Sequence, residues 1–103
     1  MLNVDEITTA YRVLQENKVI YASALETSTG LDVELERAKA NALANGTIQG
    51  KNDTERKAAL NTLFSDEIHA LEMAEIETRH ARLDVELAEL EVKRIETLVR
   101  WLK

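Results

Sequence analysis

The residues able to do chemistry in this chain gather at two places. The first is Gly46-Thr47-Ile48-Gln49-Gly50-Lys51-Asn52, where two glycines lead into a lysine at the start of a helical stretch. Backbone N–H groups at a helix start, with a lysine beside them, can cradle a phosphate. The spacing falls short of a nucleotide loop, because the glycines are one residue too close and Asn52 stands where a magnesium-holding Ser or Thr is needed. The preceding residues also read as helix rather than strand. Plain loop chemistry is the main reading, with a weak anion contact by Lys51 and Arg56 beside it.

The second place is Glu77-Thr78-Arg79-His80, a spacing that on one helix can turn a carboxylate and an imidazole toward one metal. Such a centre needs further glutamates from facing helices, and Glu77 falls in a charged column away from the side that holds His80. His69 and His80 lie eleven residues apart, about 16 Å along a helix, too far to share a metal within one chain. An antiparallel dimer could bring them together, but interface or solvated histidines are the expected reading. No serine or threonine has an evident base and orienting partner, and there is no cysteine to act as nucleophile or metal ligand. The expectation is a non-enzymatic chain with no cofactor and no metal.

Charge narrows the partners. A formal net charge of −6 argues against general binding to nucleic acid, which requires a clustered positive surface. Local basic groups occur around the loop, at Lys51, Arg56 and Lys57, and toward the C-terminal end, at Lys93, Arg94, Arg100 and Lys103. The second cluster complements the negative end of a helix dipole. It also leaves open an accessory protein that uses its basic loop and C-terminal ends to meet nucleic acid or a ligand. Trp101, Tyr11 and Tyr21 read as packing residues rather than base-stacking platforms, given so little positive charge around them.

The elements that would position these groups are helices. The chain has 103 residues, no proline, three glycines and 45% hydrophobic residues with few aromatics, a composition of long helices. A single all-α unit over residues 1–103 is expected. Met1-Leu2-Asn3 opens no signal peptide, and no apolar run approaches the roughly twenty residues that span a bilayer. A soluble, cytoplasmic protein is the simplest expectation. Gly46 suits the left-handed position after a helix end, and Asn52 with Glu55 fits an N-cap and its capping-box partner. These signals place one helix over about 4–45, a loop over 46–52 and a second helix over 53–103. A connection this short folds the two back as a long antiparallel, coiled-coil-like hairpin.

Inside the first helix, Val4, Ile7, Tyr11, Leu14, Tyr21, Leu25, Leu31, Leu35, Ala38 and Ala42 recur at helical spacings. Thr27-Ser28-Thr29-Gly30 lowers helix propensity between them, so a break near Gly30 competes with a continuous, bent helix. The continuous form is preferred. Counting from the loop sets residue 5 opposite about residue 93, Tyr21 and Ala22 opposite Glu77, and sends Leu98, Trp101 and Leu102 past the first helix. Leu-Asp-Val-Glu-Leu occurs at Leu31 and again at Leu83, but the flanking residues do not match, so chance is preferred to duplication.

The second helix carries two apolar stripes. A heptad series through Leu60, Phe64, Glu67, Leu71, Ala74, Thr78, Ala81, Val85, Ala88, Val92, Ile95, Val99 and Leu102 is small in its middle. It is assigned to the chain's own first half. The other stripe holds Met73, Ile76, Leu83, Leu87, Leu90 and Trp101, with Leu98 at its edge. One neighbouring helix cannot cover two opposed faces, so this stripe is the expected protein interface. The alternative is a broken first segment folding over it as a third helix.

Ala42-Leu43, Gly46, Ile48, Gly50-Lys51-Asn52, Arg56 and Ala58-Ala59-Leu60, followed by a long Glu- and Leu-rich helix, resemble short helical proteins of tailed bacteriophages and prophages that have no assigned activity. The specific part covers about twenty residues of the chain. The resemblance implies a phage or prophage origin, with the host cytoplasm as location, and transfers no site. Together these readings predict a homo-oligomeric helical bundle that binds a protein target as adaptor, assembly factor or inhibitor.

Overall fold

The computed structural model describes residues 2–102. Lys103, placed in the C-terminal basic cluster and at the end of the second helix, lies outside the described residues. Three helices follow one another: α1 over Val4–Ala44, α2 over Asp53–Leu63 and α3 over Ser65–Leu102. The fold is all-α.

Helix ends follow the local chemistry of the sequence. Asn3 caps α1, its side-chain oxygen accepting from the Glu6 N–H at 2.9 Å. At the other end Gly46 takes φ +70°, its N–H donates to Leu43 O, and the Thr47 N–H donates to Ala42 O. This paired closure satisfies carbonyls that a helix end leaves bare. Between these caps α1 is unbroken for 41 residues, and Gly30 sits inside it with no atom near the place a Cβ would take. No third segment therefore forms from the first half of the chain. The low propensity around Gly30 is outweighed by burial on both sides of it, at Ser28 and Leu35.

The second helix is not continuous. Phe64 leaves helical geometry at φ −106°, ψ 27°, so the helix expected over 53–103 is two helices. Its N–H still donates to Leu60 O and its carbonyl still accepts from the Ile68 N–H, so the ladder is offset rather than abandoned. Two residues earlier the Thr62 hydroxyl donates to Ala58 O at 3.0 Å. Such back-bonding often bends a helix slightly, but Thr97 makes the same bond to Lys93 O inside an unbroken α3, so the hydroxyl does not act alone. Thr62 with Ser65 and Asp66 supplies the weak stretch in which that bend becomes a step.

Two compact units arise. One contains residues up to Leu25 and from Glu77 onward, and the other contains Glu26–Ile76. In the first, Ala10, Val92 and Ile95 form a buried cluster against which Leu2, Ile7, Leu14 and Val99 pack. Ile95 is its most enclosed side chain, at 2% exposure; full burial of such a side chain stabilises by about 1.5–3 kcal/mol. In the second unit the buried apolar side chains are Leu35, Ala42 and Leu60, and Ser28 is also buried. No buried side-chain nitrogen or oxygen lacks a hydrogen bond among the described residues.

The helix pairing in the first unit departs from the count made from the loop. Thr78 meets Ala24, its hydroxyl donating to the Ala24 carbonyl at 3.1 Å, which is three or four residues beyond the partner expected. Leu2 and Val99 both pack against the Ala10, Val92 and Ile95 cluster, so α3 is engaged as far as Val99, while Trp101 and Leu102 beyond it stay exposed. Side chains fix this register: the seam is small at Ala10, Ala24, Ala81 and Ala88, and small residues let helices approach and interlock closely.

Candidate protein-docking face

Burial divides α3 as its two heptad series require. Its buried residues are Ala81, Val85, Ala88, Val92 and Ile95, all from the small-residue series. Turning these toward α1 turns the other series outward. In the first unit Leu83 is 51% exposed, Leu87 56%, Leu90 61% and Trp101 83%. Four large apolar side chains on one side of a single helix are more than scattered surface hydrophobes. Leu98, at 38%, borders this face. In the second unit Met73 is exposed as expected, whereas Ile76 is half-buried and contributes less to an outward face than its spacing implied.

Either side of the seam in the first unit runs a groove, and the two differ in charge. One, of about 590 Å³, has Ala10, Val13, Ala88 and Ile95 as its apolar surface and Asp5, Glu6, Glu91 and Arg94 among its polar lining. Arg94 is held by Glu91 through two hydrogen bonds, at 2.6 and 3.0 Å. Those bonds hold the Glu91 carboxyl below the usual carboxylate range and raise the Arg94 guanidinium, which also feels the charge of Glu6. The other groove is smaller, about 270 Å³, and pairs Tyr11, Val99 and Ile95 with one Glu96 and one Arg100. There the Tyr11 hydroxyl donates to Glu96 at 2.8 Å.

The loop groups form a helix start rather than a cradle. Asn52 accepts from the Glu55 N–H at 2.9 Å, and the Glu55 carboxylate accepts from the Lys51 N–H at 2.7 Å. Gly50 is needed for close approach, since a Cβ there would lie 3.0 Å from Arg56 N and Glu55 Cβ. The Arg56 guanidinium donates to Asp53 at 2.7 Å and to the Gly50 carbonyl at 3.3 Å. Its bond to Asp53 lowers that carboxyl's pKa. Of the two residues considered for an anion contact, Arg56 is engaged by its own chain and Lys51 is exposed, while the α2 start is capped from within.

Glu77 and His80 are exposed, and Thr78 between them is the residue directed to α1. Among the described residues no three His, Asp or Glu side chains gather to hold a metal ion. None of the described helices is long and apolar enough to cross a membrane. No family model, curated protein or solved structure matches the chain. The residues that sequence reasoning missed are Ala10, Val13, Glu6 and Glu91, which build the larger groove. The signal was present in Val13 and Ile20, seven apart beside the seam, but two residues make a short stripe.

Proposed function

We propose that this chain is a non-enzymatic helical protein that acts by protein–protein binding. It associates with itself into a helical bundle and presents a further surface to a protein target, as a phage-type adaptor, assembly factor or inhibitor working in the host cytoplasm. The observation that carries this reading is the exposed row Leu83, Leu87, Leu90 and Trp101 on α3, an apolar face that water covers at a cost and that a second helix would dry. The chain's own first helix is already engaged by the opposite side of α3.

Mass measurement in solution, on the native chain and on Leu83→Glu, tests it. The native protein is expected to be heavier than one chain, and Leu83→Glu to shift it toward a single chain while helicity is kept. A native chain that runs alone, and whose helicity and melting are unchanged by Leu83→Glu, overturns the reading.

A further inference from the structure

We infer that the acidic groove between the first turns of α1 and the C-terminal half of α3 receives an amphipathic helix of another protein, one that presents a narrow apolar row flanked by lysine or arginine. The inference rests on the protein-binding reading above and names the chemistry of the target. Ala10 and Ala88 are small, so the floor they form with Ile95 is low, and Val13 rises beside it at 38% exposure. The resulting open groove has a volume of about 590 Å³, comparable to ligand clefts of roughly 300–1,000 Å³. Its walls are two antiparallel helices, which makes it a trough with the direction of a helix axis, the form that a helix face fills.

The rim selects the sign of the occupant. Asp5, Glu6 and Glu91 line it against one cation, Arg94, and that cation is already doubly hydrogen-bonded to Glu91. A basic flank on the incoming helix is therefore complementary, and a phosphate backbone is repelled. A second copy of this chain, docked symmetrically through the same groove, would set one acidic rim against another. The opposite flank, with Glu96 balanced by Arg100, lacks this bias and serves as an internal control.

The test uses the full chain and a synthetic amphipathic helix of about twenty residues, with Leu and Ala on one face and Lys on both flanks, against the same peptide with Glu for Lys. Binding is read by fluorescence anisotropy at low and high salt, with circular dichroism confirming that each variant stays helical. The Lys peptide is expected to bind and the Glu peptide not. Val13→Asn and Glu6→Lys should each weaken binding about tenfold or more, while Glu89→Lys, one heptad before Glu96 on the opposite flank, should change it less than about twofold. Equal loss with Glu6→Lys and Glu89→Lys, binding of the Glu peptide, or full displacement by spermine at matched charge overturns the inference, the last by revealing a site for small cations. Failure here with a Leu83-dependent mass leaves self-association standing. Peptide binding through Val13 with a mass insensitive to Leu83→Glu leaves the groove standing without it.

Discussion

The Tyr11 hydroxyl donates to Glu96 at 2.8 Å, joining α1 to α3 across 85 residues of sequence. This bond, followed by desolvation and by the charge of the carboxylate, raises the Tyr11 pKa above its ordinary value of 10.0. A raised folded-state pKa means that its stabilisation is complete below the unfolded tyrosine's titration and is lost as pH rises through the higher folded value. Ultraviolet titration of the native chain minus Tyr11→Phe should show a phenol ionising above the ordinary range, and Glu96→Gln should bring it down. A Tyr11 titration insensitive to Glu96→Gln would mean that the bond does not persist in solution.

The three glycines do not behave alike. Gly30 lies within α1, and a Cβ there meets nothing within 4 Å; Gly30→Ala should stabilise by about 0.5–1 kcal/mol. Gly46 holds φ +70°, so Gly46→Ala should cost about 1–2 kcal/mol. Urea denaturation of both variants, at one protein concentration, reads the opposite signs.

Ile95, 2% exposed, is where the first unit can least tolerate a cavity. Ile95→Ala is expected to lose about 2–5 kcal/mol in chemical denaturation. A loss under about 1 kcal/mol would show that the Ala10, Val92 and Ile95 cluster collapses readily around the gap.

Asn52 accepts from the Glu55 N–H at 2.9 Å, so Asn52→Ala removes a cap worth about 1 kcal/mol. Asn52→Asp should retain most of it, since aspartate caps as well. Equal destabilisation by the two changes would assign the effect to something other than capping.

Much of this architecture was legible because it is written locally. The loop, its caps and the unbroken small-residue series of α3 depend on neighbours within a few positions, and they stand where the residue types put them. The α1 seam was only half legible: Ala10, Asn17, Ala24 and Ser28 complete it, but alanine, asparagine and serine carry little apolar signal. Tyr11 and Leu25 drew the eye by size, and both are exposed. The step at Phe64 was hidden because no single residue type marks it: Thr97 makes the same back-bond as Thr62, and α3 continues through it. The helix register was hidden because distant pairs such as Thr78 with Ala24 set it. The outward face could be read from spacing, whereas the acidic groove requires knowing which residues of two helices come side by side.

The caps around the central loop also bear on the order in which the molecule assembles. Closing a connection of a few residues loses little chain entropy, whereas joining Tyr11 to Glu96 directly would close 85 residues. Pairing that began at Gly46 and Asn52 and zipped outward would avoid that loss at every step and would bring Tyr11 to Glu96 last. In stopped-flow kinetics Asn52→Ala should then act mainly by slowing folding, and Ile95→Ala mainly by speeding unfolding. The reverse partition would place the nucleus at the far ends, and the loop would be a consequence of folding rather than its origin.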